Sequence, residues 1–339
     1  MPPDAAATRG VAVEDVLGHR QSGAFGTLFG SQAFWVTVAL AALVAGVSWL
    51  QPQAFASVNN FYDITRNFSF IGIMAVGMTA VLITGGIDLS VGSVMGAVAV
   101  VAGTIMHAGL AWPLAVLGGL AAGFAFGLIN GVLVAYFGLS SFVVTLGMLA
   151  IGRSFAVVLS RNKMIYEFGP HSDAFFNFGG GAWLGLATSV WFLMALAAMF
   201  GLALRVTVWG RHLFAVGGNE NAARVTGVPV DRIKVQVFVF SGLCAAIAGL
   251  LSLAWQGSAI NGLGGGYELR VIAAAVIGGA NLLGGEGGAY GAIVGAALIE
   301  VIRNGLLMAG VDSNWQGMFV GSFIILAVVL ERIRRPRRE

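Results

Sequence analysis

The sequence predicts an all-α integral membrane protein with about ten transmembrane helices and an inverted internal repeat. Hydrophobic residue types make up 58% of the 339 residues and charged types only 10%, whereas soluble domains carry roughly 25% charged residues. Long windows such as 21–62 and 235–267 contain no charged side chain, and they lack the alternation typical of membrane β-strands. The net charge of +3 arises from basic residues at the ends of apolar runs, which indicates membrane topology rather than nucleic-acid binding.

The individual spans follow from the charged residues and from clusters of Gly, Pro and Asn, which divide the apolar sequence. A bilayer core about 30 Å thick requires a helix of roughly 20 apolar residues. We predict helices at 32–50, 66–86, 88–108, 112–136, 140–160, 183–204, 234–256, 268–284, 288–309 and 316–333. Residues 1–30 are then an N-terminal tail, 31–333 the transmembrane domain and 334–339 a basic C-terminal tail.

The distribution of Lys and Arg predicts the orientation of the chain. Basic residues are concentrated in the C-terminal tail and in the segment 205–234, which contains Arg205, Arg211, Arg224, Arg232 and Lys234. Cytoplasmic loops carry an excess of Lys and Arg, so both regions are predicted to be cytoplasmic. The predicted spans place the N-terminus on the same side, in agreement with this assignment.

Two pairs of short segments indicate an inverted repeat. Residues 85–91 (GGIDLSV) align with 265–271 (GGYELRV), and 130–133 align with 304–307. Spans two to five then correspond to spans seven to ten, and the odd displacement gives the two copies opposite topology, which is typical of transporters.

Small residues recur at helical spacing in the fourth and ninth spans. The two ladders are Gly119, Gly123, Gly127 and Gly131, and Gly287, Gly291 and Gly295. Such ladders let helix backbones approach closely. They predict tight packing, either within one chain or between two copies.

Motifs for catalysis and cofactor binding are missing from the sequence. Neither Lys163 nor Lys234 follows a Gly, so there is no phosphate-binding P-loop, and no Ser stands in a nucleophile elbow. The four His are scattered and Cys244 is the single cysteine, which gives no metal-ligand spacing. We therefore predict no catalytic residue, no metal site and no cofactor, in a protein that is not an enzyme.

Charged residues at membrane depth cost about 2.5–3.5 kcal/mol at a helix centre on insertion scales. Asp88 and Glu268 each follow a Gly pair and open a predicted helix. A carboxylate there caps free N–H groups, and this role is favoured over contact with a transported solute. Glu300 and Arg303 are three residues apart on one helix face and are predicted to form an ion pair.

The polar segment 205–234 contains a predicted short helix. Asn219 is a suitable N-cap, the helix is expected to end near Gly227, and Pro229 blocks its continuation. A helix this short is not stable alone in water. It must be ordered by docking, either on its own membrane domain or on a partner.

Four motifs appear in order along the chain: residues 84–93 (TGGIDLSVGS), 142–147 (FVVTLG), 217–228 (GGNENAARVTGV) and the Gly-rich stretch 276–285. Together they resemble the permease subunits of ribose-type sugar importers of the ATP-binding-cassette class, within the branched-chain amino acid/ribose permease superfamily. The resemblance covers about residues 60–333.

The resemblance implies a pair of permease subunits in the bacterial inner membrane, with both termini cytoplasmic. It further implies ATPase subunits that bind ATP on the cytoplasmic side, and a periplasmic sugar-binding protein that delivers a monosaccharide. The short helix would be the coupling helix that docks on the ATPase. The implied coupling residues are Gly217, Gly218, Asn219, Glu220, Ala222, Ala223, Arg224 and Gly227.

For the translocation path we expect polar side chains on spans two to five and seven to ten, because a sugar needs hydrogen-bonding groups. The candidates are Asp88, Asn130, Thr145, Glu268 and Asn304.

Two alternatives remain open. A permease for branched-chain amino acids or nucleosides shares the architecture, although the motifs look closer to the sugar branch. An ion-coupled secondary transporter would need no docking segment and usually has an ionisable site inside the membrane.

Overall fold

The computed structural model describes residues 31–169, 172–312 and a few residues between 315 and 325. The predicted tails at 1–30 and 334–339, and most of the predicted span 316–333, lie outside the described residues. The named elements, in chain order, are α1 (Gln32–Leu50), α2 (Val58–Ile83), α3 (Val91–His107), α4 (Trp112–Ala135), α5 (Ser141–Leu159), α6 (Asp173–Gly179), β1 (Ala182–Trp183), β2 (Leu186–Ala187), α7 (Thr188–Val206), α8 (Val208–Gly218), α9 (Glu220–Val225), α10 (Val230–Gln256), α11 (Tyr267–Ile277) and α12 (Ala289–Met308).

The fold is helical and spans the membrane several times. Within the described residues, seven helices are long and apolar enough to cross a bilayer: α1, α2, α4, α5, α7, α10 and α12. Helix α3 has 17 residues and α11 has 11, fewer than the roughly 20 that a straight crossing requires. The prediction of a multi-pass helical membrane protein is confirmed, whereas the count of ten spans stays a prediction.

Helix α2 begins at Val58, earlier than the predicted start at residue 66. Asp63 and Arg66 made this region look too polar for a span. In the structure they form an ion pair at 2.6 Å, and the Arg66 guanidinium lies over the Trp255 ring, 4.1 Å from its centre. The helix continues through both charges because each has a partner.

Helix α11 ends at Ile277, and the predicted end at residue 284 is wrong. Gly278 lies against Gly291 of α12 with no room for a side chain between them. Gly279 has a φ of +102°, a conformation that favours Gly and ends the helix. The glycines of this stretch therefore form a turn toward α12.

The predicted start of the sixth span at residue 183 is wrong, because a small antiparallel hairpin occupies that position. Strands β1 and β2 pair where the helix was expected to begin at residue 183, so α7 begins at Thr188.

Helices α2 and α10 form the centre of the fold and are buried along most of their length. Helices α3 and α4 pack on α10, while α11 and α12 pack on α2. The Gly ladder of α4 faces α10: Gly123 contacts Ala246, and Gly127 contacts the backbone of Phe238. Gly291 of the second ladder faces α11. These ladder contacts lie within the chain.

Gly127→Ala is expected to lower the melting temperature of the purified chain. The added Cβ would lie 2.5 Å from the Phe238 carbonyl oxygen, so α4 and α10 would have to move apart, and overpacking of this kind costs about 1–3 kcal/mol. The matched control is Gly147→Ala on α5, where an added Cβ meets nothing within 4 Å. Thermal unfolding in detergent measures both, and equal losses would contradict the proposed role of this contact.

Candidate functional site

The 205–234 segment joins α7 to α10 through the short helices α8 and α9. The side chain of Asn219 caps α9 by accepting a hydrogen bond from the backbone N–H of Ala222 at 2.9 Å. Gly227, with a φ of +84°, follows the end of α9, and Pro229 precedes α10. The predicted cap and the predicted end of the short helix are confirmed.

Four charged side chains hold α9 against the beginning of α10. Arg224 donates two hydrogen bonds to Asp231, at 2.9 and 2.8 Å, and lies 3.4 Å from Glu220. Lys234 donates to the other Glu220 oxygen at 2.7 Å. An i,i+4 pair between Glu220 and Arg224 is therefore present, inside a network of two acids and two bases.

The ion pairs of this network are charged and partly exposed to solvent. The hydrogen bonds and the charge of Asp231 raise the pKa of Arg224 further above its ordinary value, so the guanidinium stays charged. The side chains of Arg224 and Glu220 are 51% and 41% exposed, and exposed ion pairs contribute little to stability. The network therefore orients α9 more than it stabilises the fold.

The two faces of α9 differ in burial. Ala223 is buried against the membrane domain, whereas Ala222 and Gly227 are exposed. Val225 is 88% exposed. A helix of fixed orientation that presents an apolar side chain and small neighbours can dock into a groove on another protein.

Gly217 and Gly218, at the end of α8, have different surroundings. Gly217 touches the carbonyl of Ile83, at the end of α2, and the backbone of Gly285, with no space for a side chain. The Gly285 N–H donates to the same Ile83 carbonyl at 2.9 Å. An added Cβ at Gly218 meets nothing within 4 Å. The segment is thus attached to the membrane domain at Gly217, while Gly218 is free to contact a partner.

A polar cavity of about 450 Å³ lies under α9. Glu220, Arg224 and Lys234 line one wall, and the turns at 84–86 and 138–141 line the other. The segment therefore faces the turn that leads into α3.

Asp88 is buried just before α3 and accepts three hydrogen bonds. Its Oδ1 accepts from the backbone N–H of Ser90 at 2.9 Å and from the Ser90 hydroxyl at 2.6 Å. Its Oδ2 accepts from the hydroxyl of Ser241 on α10 at 2.8 Å. The sequence predicts that Asp88 opens the helix and caps its free N–H groups, but α3 begins at Val91 with Ser90 as its N-cap, so the predicted start at residue 88 is wrong. Asp88 instead accepts from the N–H of the N-cap residue, and a buried carboxylate requires such donors.

Asn130 and Thr145 belong to the same group of polar side chains. Asn130 on α4 donates to the Ser90 hydroxyl at 2.9 Å, and its Oδ1 has no hydrogen-bond partner among the described residues. The Thr145 hydroxyl on α5 accepts from the N–H of Leu89 at 3.0 Å and lies 3.2 Å from the carbonyl of Ile87. We name Asp88, Ser90, Asn130, Thr145 and Ser241 the Asp88 cluster.

Among the described residues, the other two candidate path residues form no hydrogen bond with this cluster. Glu268, at the beginning of α11, accepts from the N–H of Gly266 at 3.3 Å and places its other oxygen beside Gly92 of α3. Asn304 on α12 exchanges two hydrogen bonds with Asn60 on α2, at 3.1 and 2.8 Å. Both amides are buried, so Asn304 is satisfied within the chain.

The charges on α12 have the predicted arrangement. Arg303 donates to Glu300 at 2.9 Å, and Glu300 is buried. This ion pair is confirmed as internal.

Several residues of these groups were missed from the sequence. They are Asn60, Ser90, Val225, Asp231 and Ser241. Asn60 and Ser241 are 244 and 153 positions from their partners, and no local pattern marks them. Ser90 offered a signal, because Asp commonly accepts from the backbone two residues onward.

The sequence of the chain is similar to those of one protein family and of several known permeases. Residues 60–328 match the family described as branched-chain amino acid transport system / permease component. The chain is 39% identical over 295 residues to the ribose import permease protein of Escherichia coli K12, covering 87% of this chain and 92% of that protein.

Two further relatives are similar over comparable lengths. The L-arabinose ABC transporter permease protein of Azospirillum brasilense is 36% identical over 298 residues, covering 87% of this chain and 86% of that protein. The D-allose transport system permease protein of Escherichia coli K12 is 35% identical over 295 residues, covering 87% and 90%.

Ser241→Ala is expected to lower the free energy of unfolding by about 1–3 kcal/mol, the cost of leaving a buried polar atom without its partner. Within the described residues, Ser241 is the hydrogen-bond donor to Oδ2 of Asp88. The control is Ser93→Ala: this buried hydroxyl donates to the Ser90 carbonyl, which also accepts from the Val94 N–H at 2.9 Å. Denaturant unfolding in detergent compares them, and a control as unstable as Ser241→Ala would refute this reading.

Proposed function

The chain belongs to the family of branched-chain amino acid transport system permease components, and we propose that it is the membrane-spanning permease subunit of an ATP-binding-cassette importer for a monosaccharide. The three relatives described above are named for ribose, L-arabinose and D-allose, and each aligns along most of its length. A pentose or a hexose is therefore the proposed substrate class.

One observation carries the coupling role: α9 is oriented by ion pairs to α10 and exposes Val225. We infer that α9 is the coupling helix and sits in a groove of a separate ATPase subunit. The proposed docking residues are Gly218, Asn219, Glu220, Ala222, Arg224, Val225 and Gly227. Gly217 and Ala223 contact the membrane domain, so their role is to transmit movement.

The proposed topology has ten spans, with α3, α11 and the stretch 316–333 completing the set. Its inverted repeat pairs α2 with α10, α3 with α11 and α4 with α12. The packing supports this repeat, because α12 packs on α2 as α4 packs on α10. The two short spans α3 and α11 follow the two matched Gly-Gly segments, and interrupted spans at corresponding positions point to a transport site.

The proposed path passes the Asp88 cluster and Glu268, near the start of the two short spans. Asn130 supports this assignment, because its Oδ1 accepts no hydrogen bond from the described residues and could accept one from a sugar hydroxyl. Asn304 is a weaker candidate, since Asn60 uses both ends of its amide.

The proposed assembly contains two copies of this chain, two ATPase subunits and a periplasmic sugar-binding protein. It lies in the bacterial inner membrane, with residues 1–30, 205–234 and 334–339 in the cytoplasm, as the excess of basic residues favours. ATP is bound and hydrolysed by the partner, so this chain supplies neither a catalytic residue nor a cofactor. Closure of the ATPase pair would move α9 and tilt the permease halves as rigid bodies.

A second candidate substrate class is branched-chain amino acids, which the family description names. Uptake of labelled pentoses, hexoses, nucleosides and branched-chain amino acids in a strain that lacks this chain, with and without complementation, distinguishes them. Restored uptake of a monosaccharide supports the proposal, and restored uptake of amino acids alone would refute the sugar assignment. Transport by the reconstituted chain alone, driven by a proton or sodium gradient, would instead indicate a secondary transporter.

Val225→Asp is expected to reduce sugar uptake at least tenfold while the chain still folds and inserts, because a charge would be desolvated at the docking surface. The conservative variant Val225→Ile should retain uptake. Co-purification with the ATPase and substrate-stimulated ATP hydrolysis are the measurements. Full uptake and full ATPase retention by Val225→Asp would contradict the coupling role of α9.

A further inference from the structure

A groove on the surface of the membrane domain lies outside the regions described so far. It has a volume of about 630 Å³ and opens between α7 and the beginning of α12, beside α8. Its lining includes Met194, Leu202 and Ile293. Met194 and Leu202 are 52% and 60% exposed, and they belong to a helix long and apolar enough to cross the membrane. This surface therefore faces lipid.

Arg205 lines the same groove, at the end of α7 that joins the 205–234 segment. Its side chain is exposed, and it forms no ion pair with a carboxylate of the described residues. Arg224 and Lys234 of the same segment are both paired. The groove thus combines an apolar wall at membrane depth with an uncompensated positive charge at one end.

We propose that this groove binds one anionic phospholipid, with an acyl chain along α7 and the phosphate at Arg205. Charge complementarity supports this occupant, since a guanidinium binds phosphate oxygens in a bidentate geometry. A small anion would match only Arg205, whereas a phospholipid also matches the apolar lining. Basic pockets between transmembrane helices are known to hold acidic head groups.

Gly201 on α7 lines the groove. An added Cβ there would contact the Cβ of Ala289 at 3.5 Å, so a larger side chain would extend into the groove. Gly201→Leu therefore fills the apolar part and leaves Arg205 unchanged. It gives a test of the acyl-chain site that is independent of charge.

The experiment is native mass spectrometry of the full chain in detergent, titrated with phosphatidylglycerol or phosphatidylcholine that carry the same acyl chains. We expect wild type to retain phosphatidylglycerol at least tenfold more tightly than phosphatidylcholine. Arg205→Gln should abolish this preference, Arg205→Lys should keep part of it, and Gly201→Leu should weaken binding of the lipid. The matched control is Arg211→Gln, an exposed basic residue on α8 that does not line the groove.

Three results would overturn the proposal. Equal binding of both lipids by wild type would show ordinary annular lipid, and an equal loss in Arg211→Gln would show an effect of overall charge. Displacement of the lipid by millimolar inorganic phosphate, with phosphate binding intact in Gly201→Leu, would show a site for free phosphate. The melting temperature of each variant is measured alongside, and Gly201→Leu decides the outcome if Arg205→Gln does not fold.

Discussion

The bilayer core offers no water to polar groups, and the rest of this structure depends on that constraint. Buried backbone N–H and C=O groups must find their partners inside the protein, and a buried polar side chain without a partner is costly. Helices satisfy most of the backbone, and the interruptions are covered by neighbouring elements. The non-helical segment 259–264 lies along a Gly-rich face of α3. Its contacts there are Gly103 with Ala259, Gly96 with Leu263, and Gly92 with Gly264. Glycine is needed at Gly92 and Gly96 because backbone meets backbone there, and at Gly103 because the Cβ of Ala259 leaves no room for a side chain.

The same constraint explains which parts of the fold the sequence could predict. Helix α1 has the predicted limits, which follow from the local sequence. The start of α2 could not be predicted, because the pairing of Arg66 with Trp255 joins residues far apart in the sequence. The end of α11 depends on contact between Gly278 and α12. Hydropathy reports only how well a segment suits the bilayer core, whereas the start of α2 and the end of α11 depend on contacts with residues distant in the sequence.

The candidate site divides in the same way. The Asn219 cap and the pair of Glu220 with Arg224 are contacts over three and four positions, and such contacts follow from helix geometry. The donation from Ser241 to Asp88 spans 153 positions. A single sequence marks the buried acid as costly, but it does not reveal the donor that compensates the cost.

Helix α10 contacts both candidate functional regions. Near its beginning, Asp231 and Lys234 pair with α9, and further along Ser241 donates to Asp88. The ten helical steps from Asp231 to Ser241 span about 15 Å at a rise of 1.5 Å per residue. A close-packed helix moves as a unit, so a displacement of α9 by a docked partner would reach the Asp88 cluster.

A transmitted movement changes transport only if the receiving group has a second arrangement. In the Asp88 cluster, Asn130 is the candidate for such a group, because its Oδ1 has no partner among the described residues. A hydroxyl-bearing ligand would satisfy that acceptor, whereas rotation of the amide would break the hydrogen bond from Asn130 to Ser90, the residue that donates to Asp88. In the proposed transport cycle, Asn130 is therefore the residue at which a movement of α10 and the arrival of a polar solute would both act.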